Sequence, residues 1–138
     1  MKLQWSDTYS IGNKELDEQH KTWIELYNSL DAMMSSDNPE NLTATKADVL
    51  QKMSDYVDYH FTFEEDYMRE IGFSEIDRHW RMHKDFRTRI YRICRDHQEG
   101  TIVLSSEVMD TIRNWLVDHI VKQDIKIMDF LSSQEGGR

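Results

Sequence analysis

The sequence has one proline, one cysteine and five glycines in 138 residues, and each scarcity removes a class of structure. Cys94 has no second thiol to pair with, so no intrachain disulfide is possible and the cytoplasm is the expected residence. Lying off the main helical seam, it reads as an inert thiol rather than a nucleophile. So few helix breakers leave room for long uninterrupted helices. No apolar run approaches the roughly 20 residues of a membrane-spanning helix, and the N-terminus lacks the apolar stretch of a secretory leader. Cations are outnumbered, with 17 Lys and Arg against 26 Asp and Glu and a formal charge of −9. A surface of that sign repels phosphate backbones and anionic membranes, so neither is an expected partner. No internal repeat or low-complexity segment stands out, and the length predicts a single domain.

What is present is helical rhythm. Leu16, His20, Trp23, Tyr27, Leu30 and Met34 alternate steps of four and three, which predicts a first helix from about Asp17 to Ser36. Pro39 ends the turn after it. Val49, Met53, Tyr56, His60, Phe63 and Tyr67 predict a second helix from about Leu42 to Glu70, stopped by Gly72. Ser74 followed by Asp77 resembles a capping box for a third, whose seam is Ile76, His79, His83, Phe86, Ile90, Ile93 and His97 before Gly100. A fourth begins near Ser105 or Ser106 and carries Val108, Ile112, Trp115 and His119. Short connections between four helices of similar length predict an all-α, antiparallel up-down-up-down four-helix bundle. Residues 1–15 form its N-terminal arm, the bundle domain spans 1–131, and residues 132–138 are expected to be a disordered tail.

The histidines follow the same rhythm. His60 with Glu64, and His79 with His83, are four apart, so each pair aims two donor atoms at one point on a helix face. His20, and His119 with Asp124, complete a set of seven. In an antiparallel bundle all seven positions fall at one level, off-centre towards one end. A lone histidine on a seam is more often a satisfied core residue than a ligand; agreement among four helices is what favours ligation. Imidazole with carboxylate suits transition metals, and seven donors exceed the needs of one zinc, so the pattern reads as a two-metal site. His97 shares the seam but lies roughly 21 Å along the axis from His83, an ordinary bundle-end histidine. His119 and Asp124 are the awkward pair, because five residues turn an α-helix about 140° beyond a full turn. Either Asp124 reaches in from the side or the helix widens locally, as at a π-bulge. Glu65, Asp66 and Asp118 lie beside seam positions and are expected to be solvated.

The run His60-Phe61-Thr62-Phe63-Glu64-Glu65, the pair His79/His83, and Trp115-Leu116-Val117-Asp118-His119-Ile120 leading to Asp124 resemble the hemerythrins, in particular their single-domain bacterial members. Trp5, Gly12, Asp17 and His20 match the family's arm and first helix. The resemblance implies a non-haem di-iron centre that binds dioxygen reversibly. His79, His83 and His119 would hold one iron, His20 and His60 the other, and Glu64 and Asp124 would bridge them together with a hydroxide or oxide. Such a set leaves one coordination position open, on the iron with two histidines. The resemblance also places Phe61, Trp115, Leu116 and Ile120 around a dioxygen pocket. Aromatic and aliphatic residues at helical spacing are also plain core, and both roles can hold together. Trp23, where the family is expected to carry an aliphatic residue, reaches the same region. Asn13 departs likewise from an expected aliphatic.

Two other functions share this donor set. One is a di-iron oxidoreductase acting on peroxide, nitric oxide or dioxygen. Di-iron oxidase bundles carry Glu-x-x-His on two helices, and no such element occurs in this chain, which favours binding over catalysis. The other is an oxygen-sensing module, which would need a separate protein partner.

Overall fold

The computed structural model describes residues 3–34, 39–100 and 105–136, with no strand among them. The expected first-helix end at Ser36 lies outside the described residues. Four helical rods form an antiparallel up-down-up-down bundle: α1 (Lys14–Met34), α2 (Pro39–Ile71), α3 (Ile76–Gln98), and a fourth made of α4 (Ser106–Asp118), a π-helical segment (His119–Asp124) and α5 (Ile125–Gly136). A short 3-10 turn, Asp7–Tyr9, lies in the arm that precedes them.

Local chemistry sets the helix ends. α1 starts three residues before the expected Asp17, because the side chain of Asn13 accepts the Leu16 amide at 3.0 Å and caps it. Asp17 ties down the arm instead, accepting from the Ser10 hydroxyl and from the Ile11 amide at 3.0 Å. Leu3 is fixed to α1 by both groups of the Asn28 amide, at 2.7 and 2.6 Å. α2 opens on Pro39, earlier than Leu42, at a position where a missing N–H costs nothing.

The α2–α3 corner overturns one expectation. Gly72, at φ 71°, ends α2 with the Phe73 amide bonded to the Met68 carbonyl at 2.9 Å and its own amide to Arg69 at 3.2 Å. That is a Schellman turn, sealed by contact between Met68 and Phe73. α3 then begins at Ile76 after Glu75, without a side-chain cap, so Ser74 is not the first half of a capping box. Ser105 does cap α4, accepting from the Val108 amide at 3.3 Å. The last helix runs to Gly136, past the position 131 where the sequence reading closes the domain.

The apolar interior has two parts. The larger, with Trp23, Tyr27, Leu30, Met53, Val57, Phe61, Phe86, Ile90, Ile112 and Leu116, fills most of the bundle. The smaller, Met68, Phe73 and Ile127, lies one turn beyond Glu64 and Asp124 and closes the far end. Each fully buried aliphatic or aromatic side chain contributes roughly 1.5–3 kcal/mol by leaving water. Between the two lies a band of charge and imidazole that apolar burial alone would reject.

Candidate metal centre

His20 comes from α1, His60 and Glu64 from α2, His79 and His83 from α3, and His119 and Asp124 from the π segment, and all seven are at most 2% exposed. Their donor atoms converge as two overlapping groups. One joins Glu64, His79, His83, His119 and Asp124; the other joins His20, His60, Glu64 and Asp124. Both carboxylates belong to both groups, so each lies between three imidazoles on one side and two on the other.

Every imidazole turns Nε2 inward. His79 Nε2 lies 2.8 Å from Glu64 Oε1 and 3.0 Å from Asp124 Oδ1. His119 Nε2 is 2.9 Å from Asp124 Oδ1, His83 Nε2 3.1 Å from Glu64 Oε1, and His20 Nε2 2.9 Å from Asp124 Oδ2. His60 Nε2 stands back at 3.5 Å from Glu64 Oε2. The awkward pair is resolved by the helix itself. A π-helix closes i→i+5 rather than i→i+4, so His119 and Asp124 share one face.

Two outer nitrogens reveal tautomers. His83 Nδ1 lies 2.7 Å from a carboxylate oxygen of Glu65, and His60 Nδ1 2.7 Å from the amide oxygen of Gln19. Both oxygens accept, so both Nδ1 atoms donate, which leaves Nε2 of each ring as the atom free to serve the centre. There His83 Nε2 lies 3.0 Å from His119 Nε2 and 3.1 Å from Glu64 Oε1. His20 Nε2 and Asp124 Oδ2, though 2.9 Å apart, do not meet in hydrogen-bond geometry, and with His20 Nδ1, His60 Nε2 and Glu64 Oε2 they are buried without a hydrogen-bond partner. Crowded, unpartnered buried nitrogens and oxygens cost free energy unless a cation lies among them. The donors present therefore fit metal ions, and an imidazole and carboxylate set without thiolate fits first-row transition metals.

Without metal, protons are the cations that remain. Burial pushes the His60 pKa down to about 3 despite the opposing charge of Glu64. Burial also works against charge on His119, but Asp124 outweighs it and raises that imidazole to about 9. His79 is raised for the same reason, burial being overcome by bonds to Asp124 and Glu64. Burial would raise both carboxylates; the surrounding imidazoles hold Glu64 and Asp124 below the ordinary range instead.

The remaining assignments divide. Asp66 and Asp118 are exposed and pair with Arg69 and Lys122 on the surface. Glu65 is the correction: it is buried, not solvated, because His83 and Arg87 of α3 both donate to its Oε2. His97 belongs to neither donor group. Phe61 stacks flat on His83 at 3.8 Å between centroids, and Trp115 on His119 at 4.4 Å. Leu116 and Ile120 are fully buried in the adjoining core. Trp23 is fully buried, its ring 5.7 Å from both His60 and Phe61. Sequence reasoning misses Gln19, Glu65 and Arg87. Only Arg87 carries a signal, one turn after His83 and thus on the donor face.

Comparison with known proteins agrees with this geometry. A family model described as the hemerythrin HHE cation binding domain matches residues 11–131. A hemerythrin-like protein of Naegleria gruberi is 33% identical over 124 residues, covering 90% of this chain and 89% of that protein. A bacteriohemerythrin of Stenotrophomonas maltophilia is 32% identical over 122 residues, covering 88% of this chain and 76% of its own. The crystal structure of a wild-type hemerythrin shares the fold, with a TM-score of 0.82 at 24% identity over 89% of this chain and 92% of that one. The family match spans all seven convergent side chains, and the chain belongs to the hemerythrin family.

Proposed function

We propose that this protein binds dioxygen reversibly at a non-haem di-iron centre. The observation that carries the reading is the pair of donor groups that share both carboxylates. His79, His83 and His119 would hold one iron and His20 and His60 the other, with Glu64 and Asp124 bridging and a hydroxide or oxide completing the bridge. Two irons so held would supply the electrons that dioxygen takes up on binding and gives back on release.

The chain's own residues determine whether that exchange stays reversible. Phe61 and Trp115 fix the planes of His83 and His119 by stacking. With Leu116, Ile120 and Trp23, all fully buried, we assign them to the wall of the dioxygen pocket. An apolar wall withholds the water and protons that would release reduced oxygen and leave oxidised iron behind. The donor set is rich in histidine and the chain has no Glu-x-x-His element, which supports binding rather than oxidation chemistry.

Reconstituted with ferrous iron under anaerobic conditions, the protein should hold two irons per chain. His60→Ala and Glu64→Ala should each fail to keep both, whereas His97→Ala should retain them. Exposure to air should raise a visible absorption band, and purging with inert gas should bleach it over repeated cycles. A protein that ends ferric after one cycle would be an oxidoreductase, and the binding reading would be abandoned.

A further inference from the structure

The five imidazoles differ in what stands behind them. His83 donates from Nδ1 to Glu65 Oε2 at 2.7 Å, and the same oxygen accepts from Arg87 Nη1 at 2.9 Å. Arg87 is held in turn by Asp58, through Nε at 3.1 Å, and by Thr62, through Nη2 at 3.2 Å. Its guanidinium also lies over the ring of Phe61, 5.3 Å from the centroid, while that ring stacks on His83. Arg87 and His83 are one turn apart on α3, and Asp58, Thr62 and Glu65 lie on α2. One charged clamp therefore joins the two helices beside the centre. His60, in the other donor group, has only the neutral amide of Gln19 behind it, also at 2.7 Å.

We infer that Glu65, anchored by Arg87, is a positioning residue that strengthens His83 as a donor and so makes the two metal positions electronically unequal. A carboxylate behind Nδ1–H draws the proton outward and makes the inner nitrogen a stronger base, whereas an amide does so weakly. The position shared by His79, His83 and His119 is thereby biased towards the more oxidised metal. The position shared by His20 and His60, with the smaller donor set, is left the more reducible of the two. Arg87 supplies the countercharge that lets an anion stand at this depth, and its two other anchors on α2, Asp58 and Thr62, fix the angle at which Glu65 meets the imidazole. The structural part of this role is orientation; the electronic part is charge, and the two separate by substitution.

The inference rests on the di-iron reading, and the experiment keeps the two apart. Wild type, Glu65→Gln and Gln19→Glu are reconstituted anaerobically with ferrous iron. Each is assayed for iron per chain, for ferrous release to a chelator and for reduction potential. Glu65→Gln retains an acceptor oxygen and loses only the charge. It should keep two irons, hold ferrous iron about 10- to 100-fold more weakly, and shift the potential to more positive values. Gln19→Glu should shift it the opposite way, and carries the test alone if Glu65→Gln does not fold. Two irons in Glu65→Gln with unchanged release and potential would overturn the inference, as would shifts of the same sign in both variants. A wild-type chain that takes up no iron would overturn the di-iron reading and this inference with it.

Discussion

His60 and His119 face the same two carboxylates, yet burial pushes one down to about 3 and Asp124 lifts the other to about 9. The metal-free protein should feel both. An unfolded histidine titrates near 6.5. As pH falls below that value the unfolded chain protonates at His60 while the folded chain does not until about 3, so stability is lost towards acid. His119 works in the other direction: its proton stabilises the folded state fully below 6.5, and that contribution is lost as pH rises through about 9. Metal-free stability should therefore peak near neutrality and fall on both sides, each histidine contributing a slope of up to about 1.4 kcal/mol per pH unit. The depressed pKa values of Glu64 and Asp124 deepen the acid side. In the iron-loaded protein a metal replaces the His119 proton, so the alkaline decline should vanish. Denaturant titrations of both forms across pH check this, and a metal-free stability that still rises between pH 7 and 9 would rule it out. The convergent residues other than Asp124 were legible because each lies on a helical repeat; the residues behind them were not. Glu65 reads as solvent-facing because what buries it is the register between α2 and α3, which no spacing within one helix encodes. Gln19 is hidden for the same reason, its partner lying 41 residues away on α2.

At the level of the helix, the π segment restores a phase. Continued as α-helix, the seam through Ile112, Leu116 and His119 would next reach Gln123 and Lys126; with the wider turn, Asp124 and Ile127 take those places and both are fully buried. The segment behaves as one inserted residue. Deleting Val121, which is 41% exposed, should leave Asp124 four residues after His119 on a plain α-helix, still on the donor face. That variant should fold and keep two irons per chain. Loss of iron with helicity intact would show that the wide turn itself, rather than the phase it restores, positions Asp124. The sequence exposes this site as a spacing of five in a pattern of threes and fours. Helix ends were less readable. Asn13 starts α1 early because its side chain caps the helix, although its departure from the family pattern says nothing of capping. Ser74 carries the letters of a cap, but the Schellman turn at Gly72 and Phe73 sets the corner before it can act.

Across the molecule, the topology was readable because the seven donors reach one level only in an antiparallel bundle. The division of the interior was not readable: Met68 continues the rhythm of the main core, but Phe73 lies in the turn after Gly72 and Ile127 past the π segment, and the centre alone separates them from that core. That placement ties the centre to stability. A ligand present at a hundredfold excess over its dissociation constant adds about 2.7 kcal/mol per site. At roughly 4 °C per kcal/mol for a domain of this size, each iron should raise the melting temperature by about 10 °C. Calorimetry with and without a chelator measures it, and equal melting temperatures would exclude a centre held by four helices. Donors that begin at His20 and end at Asp124 fasten together parts of the chain that are far apart in sequence. With Cys94 alone, this protein has no sulfur bridge to do the same. A metal held there would be a coordinate rather than a covalent cross-link, closed by loading and opened by chelation, and indifferent to thiol reductants. If the proposed centre is loaded, the rods should not separate until metal leaves, and the lifetime of the folded, loaded protein should follow the rate of metal escape.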